Sequence, residues 1–251
     1  MSGHSKWSTI KRQKGVADAR RGQLFTKLAK EIILAAREGG GDPDRNFRLR
    51  LAVQKGRDNN MPSENIERAI KKASGEAGGS ALAEASFEGY GPGGVAILIQ
   101  ILSDNRNRTL QEIRSVLNRG GGNMAEAGAV SWLFESKGVI MIDSDQVDAE
   151  EAALWAIDAG AEDVKIERDS VEVYTALDDL ETVRRVLEEK NVPMTSTEMS
   201  MIPKSTLELD EGDALRTLKL LDKLEELDEV QRVFSNVDFS EEVLEKLKAE
   251  V

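Results

Sequence analysis

The first third of the chain contains stretches in which apolar residues recur at helical spacing. Over residues 18–38, Leu24, Leu28 and Ile32 lie four positions apart, so that they form one apolar stripe along a helix. Three glycines follow and end the pattern. Two further stripes of this kind lie before residue 74, with short connections between them. The pattern therefore predicts a small bundle of helices.

Helix-starting signals set the expected bounds of the later helices in this bundle. Asp42 and Pro43 match a capping residue followed by proline at the first helical position, so we expect the second helix to begin there. The sequence Asn59-Asn60-Met61-Pro62 interrupts the pattern, and the third helix is expected from about Ser63. Residues 1–17 have little apolar periodicity and are interpreted as an arm that precedes the bundle.

A strand pattern follows a linker of small and polar residues. Residues 95–102 form an unbroken run rich in β-branched side chains, which predicts a buried strand. Gly89, Gly91 and Gly94 precede this run and match the spacing G-x-G-x-x-G. A dinucleotide site places those glycines after a strand and before a helix, whereas here they precede a strand. They therefore predict a tight turn between two strands rather than a cofactor site.

A helix and another strand are expected next. Residues 103–109 are rich in Asp, Asn and Arg and begin a helix. Two interpretations stay open: the free N–H groups bind an anion together with Arg106 and Arg108, or an Asp or Asn of this segment simply caps the helix. Residues 129–134 predict a strand in which Trp132 and Phe134 share one face.

The middle of the chain alternates strands and helices in an order that identifies a fold. Strand patterns cover residues 139–142, 164–166, 171–175 and 194–201, and helical patterns cover residues 148–159 and 178–189. The order is β-α-β-β-α-β, which is the ferredoxin-like motif. The tail adds a strand over residues 207–209, a Leu-rich helix over 211–227 and a strand over 230–236.

The one helix and two short strands of the tail cannot form a domain alone. The tail is therefore expected to complete the sheet begun by residues 86–135. The fold class is therefore predicted as α+β, with a helical domain followed by two ferredoxin-like domains, the first of them discontinuous. The predicted domains are residues 1–78, residues 79–135 with 204–251, and the inserted residues 136–203.

Charge divides the chain into two unlike parts. The whole chain carries a net charge of −12, yet residues 1–78 hold 17 Lys and Arg against 9 Asp and Glu, a net charge of +8. Residues 79–251 hold 17 against 37, a net charge of −20. Such asymmetry indicates an anionic partner for the basic part, with nucleic acid as the expected one. The acidic part either meets a protein partner or serves solubility alone.

The arm and its neighbours supply the candidate binding residues. Residues 1–17 are either a disordered terminus or a nucleic-acid arm whose cations meet phosphates while Trp7 stacks on a base or packs on the helices. The candidate nucleic-acid contacts are Lys6, Trp7, Lys11, Arg12, Lys14, Arg20, Arg21, Lys27, Arg106 and Arg108. An exposed loop formed by Tyr90, Gly91, Pro92, Gly93 and Gly94 is a further candidate.

The residue types needed for catalysis are scarce. The chain has no Cys, and its single His, His4, lies in the arm, so Cys–His and triad chemistry are not expected. No P-loop is present, and the acidic runs are typical of helix termini. The sequence therefore predicts that the protein is not an enzyme and uses neither a cofactor nor a metal.

Compartment signals point to the cytoplasm. The lack of Cys fits a reducing compartment, and no run of about 18 apolar residues predicts a membrane span. The basic N-terminus has no apolar core, so a secretory signal is not expected. No membrane partner is predicted, and the oligomeric state is left open.

Several motifs together resemble those of the YebC family, which includes the mitochondrial translational activator of cytochrome oxidase. The matching segments, spread over nearly the whole chain, are Gly3-His4-Ser5-Lys6-Trp7 with Ile10-Lys11 and Lys14, Phe25-Thr26-Lys27-Leu28, Asn59-Asn60-Met61-Pro62, Ile66-Glu67-Arg68-Ala69-Ile70, Tyr90-Gly91-Pro92-Gly93-Gly94-Val95, Asp104-Asn105-Arg106-Asn107-Arg108-Thr109, Gly121-Gly122-Asn123, and Trp132 with Phe134.

The resemblance implies a three-domain α+β architecture and a non-enzymatic role in gene expression. Bacterial members of the family are conventionally described as DNA-binding transcriptional regulators. Other members resemble ribosome-associated translation factors that relieve stalled synthesis, notably at proline runs. The residues do not choose between DNA and rRNA, because no helix-turn-helix with an obvious base-reading helix is predicted. Backbone-dominated binding to structured RNA is at least as compatible with them.

Overall fold

The computed structural model describes residues 18–74, 82–167, 170–239 and 243. The helices are α1 Asp18–Gly39, α2 Phe47–Asp58, α3 Ser63–Ser74, α4 Arg106–Arg119, α5 Ala149–Asp158, α6 Leu180–Glu189 and α7 Glu211–Glu225. The strands are β1 Ala83–Tyr90, β2 Ala96–Ser103, β3 Asn123–Met124, β4 Phe134–Asp143, β5 Asp163–Ile166, β6 Ser170–Thr175, β7 Met194–Pro203, β8 Leu207–Glu208, β9 Val230–Ser235 and β10 Val237–Asp238.

The described chain divides into two compact units. Residues 134–204 form the smaller unit, and the remaining described residues form the larger one. The larger unit holds the helices α1 to α3, which we call the helical head, and the sheet that contains β1 and β2. The predicted separation of residues 1–78 as a domain of their own stays a prediction. In the described part of the chain, no helix is both long and apolar enough to cross a membrane.

The helical head is held together by the stripes that the sequence predicted. The stripe of α1 packs against apolar residues of α2 and α3 in one cluster. Its buried members are Leu28, Ile32, Ile33, Ala35, Ala36, Leu49, Ala52, Val53, Met61, Ile66 and Ala69. Burying each of the larger side chains contributes about 1.5–3 kcal/mol, so this cluster is enough to align three short helices that would not be stable alone.

The start of the second helix was predicted wrongly. Helix α2 begins at Phe47, and Asn46 caps it by accepting a hydrogen bond from the Leu49 N–H at 3.0 Å. The same buried side chain donates to the Ala35 and Gly40 carbonyl oxygens, both at 2.8 Å. Asp42 instead closes a turn, since its carboxylate accepts from the Asp44 N–H. The Asn46 amide thus links two helices, which a cap at Asp42 would not do.

The central sheet of the larger unit unites distant parts of the chain. Its strand order is β3-β1-β2-β9, and each neighbouring pair is antiparallel. The β2 residues Ile97, Ile99 and Ile101 are buried in one cluster with apolar residues of α4, such as Leu117, and of α7, such as Leu221. The tail therefore completes the sheet begun by β1 and β2, as the discontinuous arrangement predicted.

The strand predicted over residues 129–134 was wrong. Residues Ser131–Leu133 form a short 3-10 turn, the third strand is Asn123–Met124, and Phe134 begins β4 in the smaller unit. The reason lies in Glu88, a buried residue of β1. Its carboxylate accepts hydrogen bonds from the N–H groups of Gly128 at 2.8 Å, Val130 at 2.6 Å and Ser131 at 3.0 Å. Backbone groups engaged in this way cannot join a sheet ladder.

The smaller unit has the ferredoxin-like order that the sequence predicted. Its strand order is β5-β6-β4-β7 with antiparallel pairs throughout, and α5 and α6 pack beside the sheet. Gly138 lies where a Cβ atom would come within 2.3 Å of Thr175 Oγ1 and 2.8 Å of Leu180 Cδ1. A glycine there lets the start of α6 approach the sheet closely. The fold class of α+β is confirmed.

A buried acidic residue lies on the other face of this sheet. Glu172 is 1% exposed, alternates along β6 with the buried Val171 and Val173, and accepts a hydrogen bond from the Tyr174 hydroxyl. Its second carboxylate oxygen has no hydrogen-bond partner. Burial raises the pKa of Glu172 above its ordinary value, because the charged form loses its hydration.

Replacing Glu172 by Gln should therefore stabilise the protein at neutral pH. A carboxylate whose pKa is raised by folding supports stability fully below its unfolded value, near 4.5, and loses that contribution as the pH rises through the folded value. We expect Glu172→Gln to raise the free energy of unfolding by about 1–2 kcal/mol at pH 8. Urea unfolding at pH 4 and pH 8 measures this. A gain of equal size at both pH values would contradict it, and the exposed Glu189→Gln serves as control.

Candidate nucleic-acid interface

A cleft of about 530 Å³ opens in the larger unit where α1 meets α3. Its apolar lining consists of Phe25, Ala29, Ile33, Met61, Ala69 and Leu82. Its cationic lining consists of Lys30, Arg37, Arg68 and Lys72. The remaining lining residues are Thr26, Asn65 and Asp104. The cleft thus combines an apolar floor with several positive charges.

Helical spacing explains why these residues share one cleft. Phe25, Ala29, Ile33 and Arg37 follow one another at intervals of four, so they lie in a row along α1 beside the stripe that forms the core. Asn65, Arg68, Ala69 and Lys72 occupy one face of α3 in the same way. Each helix therefore presents an apolar segment with cations beside it.

Three of the cations that line the cleft have no acidic partner among the residues that the structure describes. Arg37, Arg68 and Lys72 are exposed, and among the described residues none of them makes an ion pair. Arg57, at the end of α2, shares this property but does not line the cleft. Unpaired cations beside an apolar floor produce a positive local potential in a chain whose net charge is negative.

Other cations of the head are neutralised within the fold. Arg48 forms ion pairs with Glu38 and Glu84, and Lys55 donates to Glu31 at 3.0 Å. Burial by itself would raise the pKa of Glu31, but Lys55, Arg232 and Arg48 outweigh it and hold that pKa below its ordinary value. These pairs stabilise the head and leave little charge for a ligand.

Lys27 and Lys30 connect the head to the end of α7 and to the loop that follows it. The Lys27 ammonium donates to the backbone oxygen of Glu225 at the end of α7, and Lys30 donates to the backbone oxygen of Asp228 at 3.1 Å. Lys27 was predicted as a nucleic-acid contact. The structure places its side chain half-buried against α7, so its described contact is with the protein's own backbone.

The predicted arm contacts lie outside the described residues. These are Lys6, Trp7, Lys11, Arg12 and Lys14, and the side chain of Arg20 is likewise outside the description. Arg21 lies in the first turns of α1 with an exposed side chain. The role proposed for these residues stays a prediction.

The predicted arginines of α4 lie close to the cleft. Asn105 caps α4 by accepting from the Arg108 N–H at 3.1 Å, which is the helix-cap interpretation of this segment. The Arg108 guanidinium lies 3.3 Å from the carboxylate of Asp104, a cleft residue, and 3.0 Å from that of Glu229. Arg106 lies over the Phe87 ring at 5.6 Å. Arg108 is thus next to the cleft but already paired.

The predicted glycine loop is a tight structural turn. Gly93 and Gly94 have φ angles of 68° and 81°, and a Cβ atom on Gly93 would lie 2.5 Å from Leu209 Cδ2. Pro92 is buried, and the Tyr90 hydroxyl donates to the Ala129 carbonyl oxygen at 3.3 Å. None of the five loop residues lines the cleft described above. A binding role for the loop stays a prediction.

Sequence reasoning missed most of the cleft as a site. The candidate contacts drawn from the sequence do not include Phe25, Ile33, Arg37, Arg68 or Lys72, although all five lie in the segment identified as basic. One signal was available. Segments that carry the family resemblance, such as Phe25-Thr26-Lys27-Leu28 and Ile66-Glu67-Arg68-Ala69-Ile70, each contribute residues to the cleft.

Comparison with known proteins places this chain in a family. The model described as "TACO1/YebC protein N-terminal domain" matches residues 5–76, and the model described as "TACO1/YebC second and third domain" matches residues 82–237. The chain belongs to the YebC family. The family resemblance drawn from its motifs is therefore confirmed.

Relatives and a solved structure agree with this assignment. A probable transcriptional regulatory protein of Dehalococcoides mccartyi is 60% identical over 98% of each chain. A protein of the same description from Chloroflexus aurantiacus is 54% identical over 99% of this chain and 100% of its own. The crystal structure of a conserved hypothetical protein from Aquifex aeolicus is 46% identical, with a TM-score of 0.83 over 90% of this chain and 94% of that one.

The names of these relatives describe regulators rather than enzymes. Within the ranges that the structure describes, no group of three or more His, Asp or Glu side chains is arranged to hold a metal ion.

Proposed function

We propose that this YebC-family protein is a non-enzymatic, nucleic-acid-binding regulator of gene expression whose helical head contacts the sugar–phosphate backbone. The observation that carries the proposal is a group of three exposed cations on the rim of one cleft, Arg37, Arg68 and Lys72, that make no ion pair with the residues the structure describes. Phosphate contacts from such residues supply most of the affinity of proteins for nucleic acids without regard to sequence.

The first form of this function is a DNA-binding transcriptional regulator. The names of the relatives from Dehalococcoides mccartyi and Chloroflexus aurantiacus support it. A regulator must distinguish its sites from bulk DNA, and specific sites are typically bound 10³- to 10⁷-fold more tightly than random duplex.

The second form is a ribosome-associated factor that binds rRNA. The shape of the candidate site favours it, because the cations surround a concave, apolar cleft rather than project from a helix that could enter the major groove. Proteins that recognise structured RNA commonly hold unpaired bases on apolar or aromatic surfaces in this manner.

Crosslinking in living cells, with DNA and RNA both recovered and sequenced, tests the proposal. We expect nucleic acid to be enriched above a variant in which Arg37, Arg68 and Lys72 are replaced by Gln. Enrichment at a few promoters would assign the transcriptional form, and enrichment in large-subunit rRNA would assign the ribosomal form. If neither DNA nor RNA is enriched above the level recovered with that variant, the proposal is overturned.

A further inference from the structure

The cleft of the helical head has the composition of a nucleotide site. The inference drawn from it rests on the proposed function and deepens it. We propose that this cleft receives one unpaired nucleotide, with its base on the apolar floor and its flanking phosphates on the cationic rim. The substrate class is thus a strand with an unstacked base, whether in RNA or in DNA, rather than a continuous duplex.

The floor suits the face of a base. Phe25 and Ala29 are half-buried residues of α1, and the buried core residues Ile33, Met61 and Ala69 lie at the base of the cleft. Stacking of a base on an aromatic side chain strengthens binding whatever the identity of the base, because every base has a π-face.

The rim suits the phosphates on either side of that base. Arg68 and Lys72 lie one turn apart on α3, where Cβ atoms are about 5–6 Å from one another, and Arg37 reaches the cleft from α1. Cations from two different helices can hold phosphates on both sides of a base while the base points into the cleft. Within the described part of the chain, none of the three makes an ion pair that would have to be broken first.

Asp104 and Asn65 distinguish this site from a simple anion pocket. The Asp104 carboxylate lies 3.3 Å from the Arg108 guanidinium, so it adds a paired acceptor at the cleft, and the apolar floor cannot satisfy a free phosphate. An aspartate and an amide are, however, suitable partners for the amino and ring N–H groups at the edge of a base. The volume of about 530 Å³ falls within the range of small-ligand sites, which is the size that one nucleotide needs.

Hairpins that are identical except for one unpaired adenine in the stem test this inference. The wild-type protein should bind the bulged hairpin roughly 5- to 100-fold more tightly than the continuous one, the effect of one stacking contact. Phe25→Leu keeps most of the apolar volume but removes the ring, so the ratio between the two affinities should fall to about one. Fluorescence anisotropy gives both affinities, and RNA and DNA versions show which strand is preferred.

The matched control is Phe47→Leu, since Phe47 is also half-buried in the head but does not line the cleft. It should retain the preference for the bulge. Equal binding of both hairpins by the wild type, or a preference that survives in Phe25→Leu, would overturn the nucleotide site and leave the proposed function standing. No measurable binding of any hairpin would instead overturn the proposed function itself.

Discussion

Replacing Arg37, Arg68 and Lys72 together by Gln should weaken binding to nucleic acid by about 100- to 1,000-fold at 0.1 M salt. Each phosphate contact contributes a slope of about −0.9 to the logarithmic dependence of affinity on salt, so each is worth nearly tenfold at that concentration. The slope itself should become shallower by about 2–3 on duplex. Anisotropy titrations over a salt series measure both quantities, and the melting temperature should stay nearly unchanged because these side chains are exposed.

A control with the same change in net charge separates the cleft from bulk electrostatics. Arg45, Arg57 and Lys71 are exposed cations of the same segment that do not line the cleft. Their joint replacement by Gln should cost less than about tenfold, because fields from charges beyond the contact surface are screened within about 10 Å. An equal loss in both triple variants would show that affinity follows net charge, and the cleft would then have no special role.

The folds of the separate units could be predicted because their signals are local. The helices of the head and the β-α-β-β-α-β order of the smaller unit follow from apolar spacing within each element. The start of α2 could not be predicted in this way. Asp42 with Pro43 is the stronger local signal, yet Asn46 gains two further hydrogen bonds to the end of α1 that exist only after the helices have packed.

The candidate site shows the same division between local and tertiary information. The charge asymmetry identified the head as basic, but Lys27 and Arg37 looked alike in the sequence, since both lie off the core stripe of α1. Only the folded structure shows that Lys27 donates to the backbone of α7 whereas Arg37 has no acidic partner among the described residues. Which cations remain available is a property of the tertiary structure, not of composition.

Glu88→Ala is expected to be the most destabilising of the substitutions considered. The Glu88 carboxylate binds the backbone N–H groups of Gly128, Val130 and Ser131, and its removal leaves these donors without that partner in a partly buried segment. An unsatisfied buried donor costs about 1–3 kcal/mol. We therefore expect the free energy of unfolding to fall by about 3–5 kcal/mol, and by less in Glu88→Gln, whose amide oxygen still accepts.

The pH dependence of this loss follows from the direction of the pKa shift. Burial by itself would raise the pKa of Glu88, but the hydrogen bonds from Val130, Gly128 and Ser131 outweigh it and lower that pKa below its ordinary value near 4.5. The carboxylate therefore stabilises the fold above that value, and its contribution is lost as the pH falls through the lower, folded value. The difference between wild type and Glu88→Ala should accordingly shrink in acid, opposite to the behaviour expected for Glu172.

Urea unfolding at pH 7 and pH 3, together with hydrogen exchange over residues 126–133, tests this role. In Glu88→Ala, the amides of this segment should lose protection before the rest of the central sheet, because the carboxylate holds the segment directly. Glu126→Ala is the matched control, since Glu126 is an exposed carboxylate of the same segment and should change stability by less than about 0.5 kcal/mol. If Glu88→Ala unfolds at the same urea concentration as wild type, the hydrogen bonds from Glu88 do not fix this segment. Some other interaction would then have to explain why residues 129–134 do not form the predicted strand.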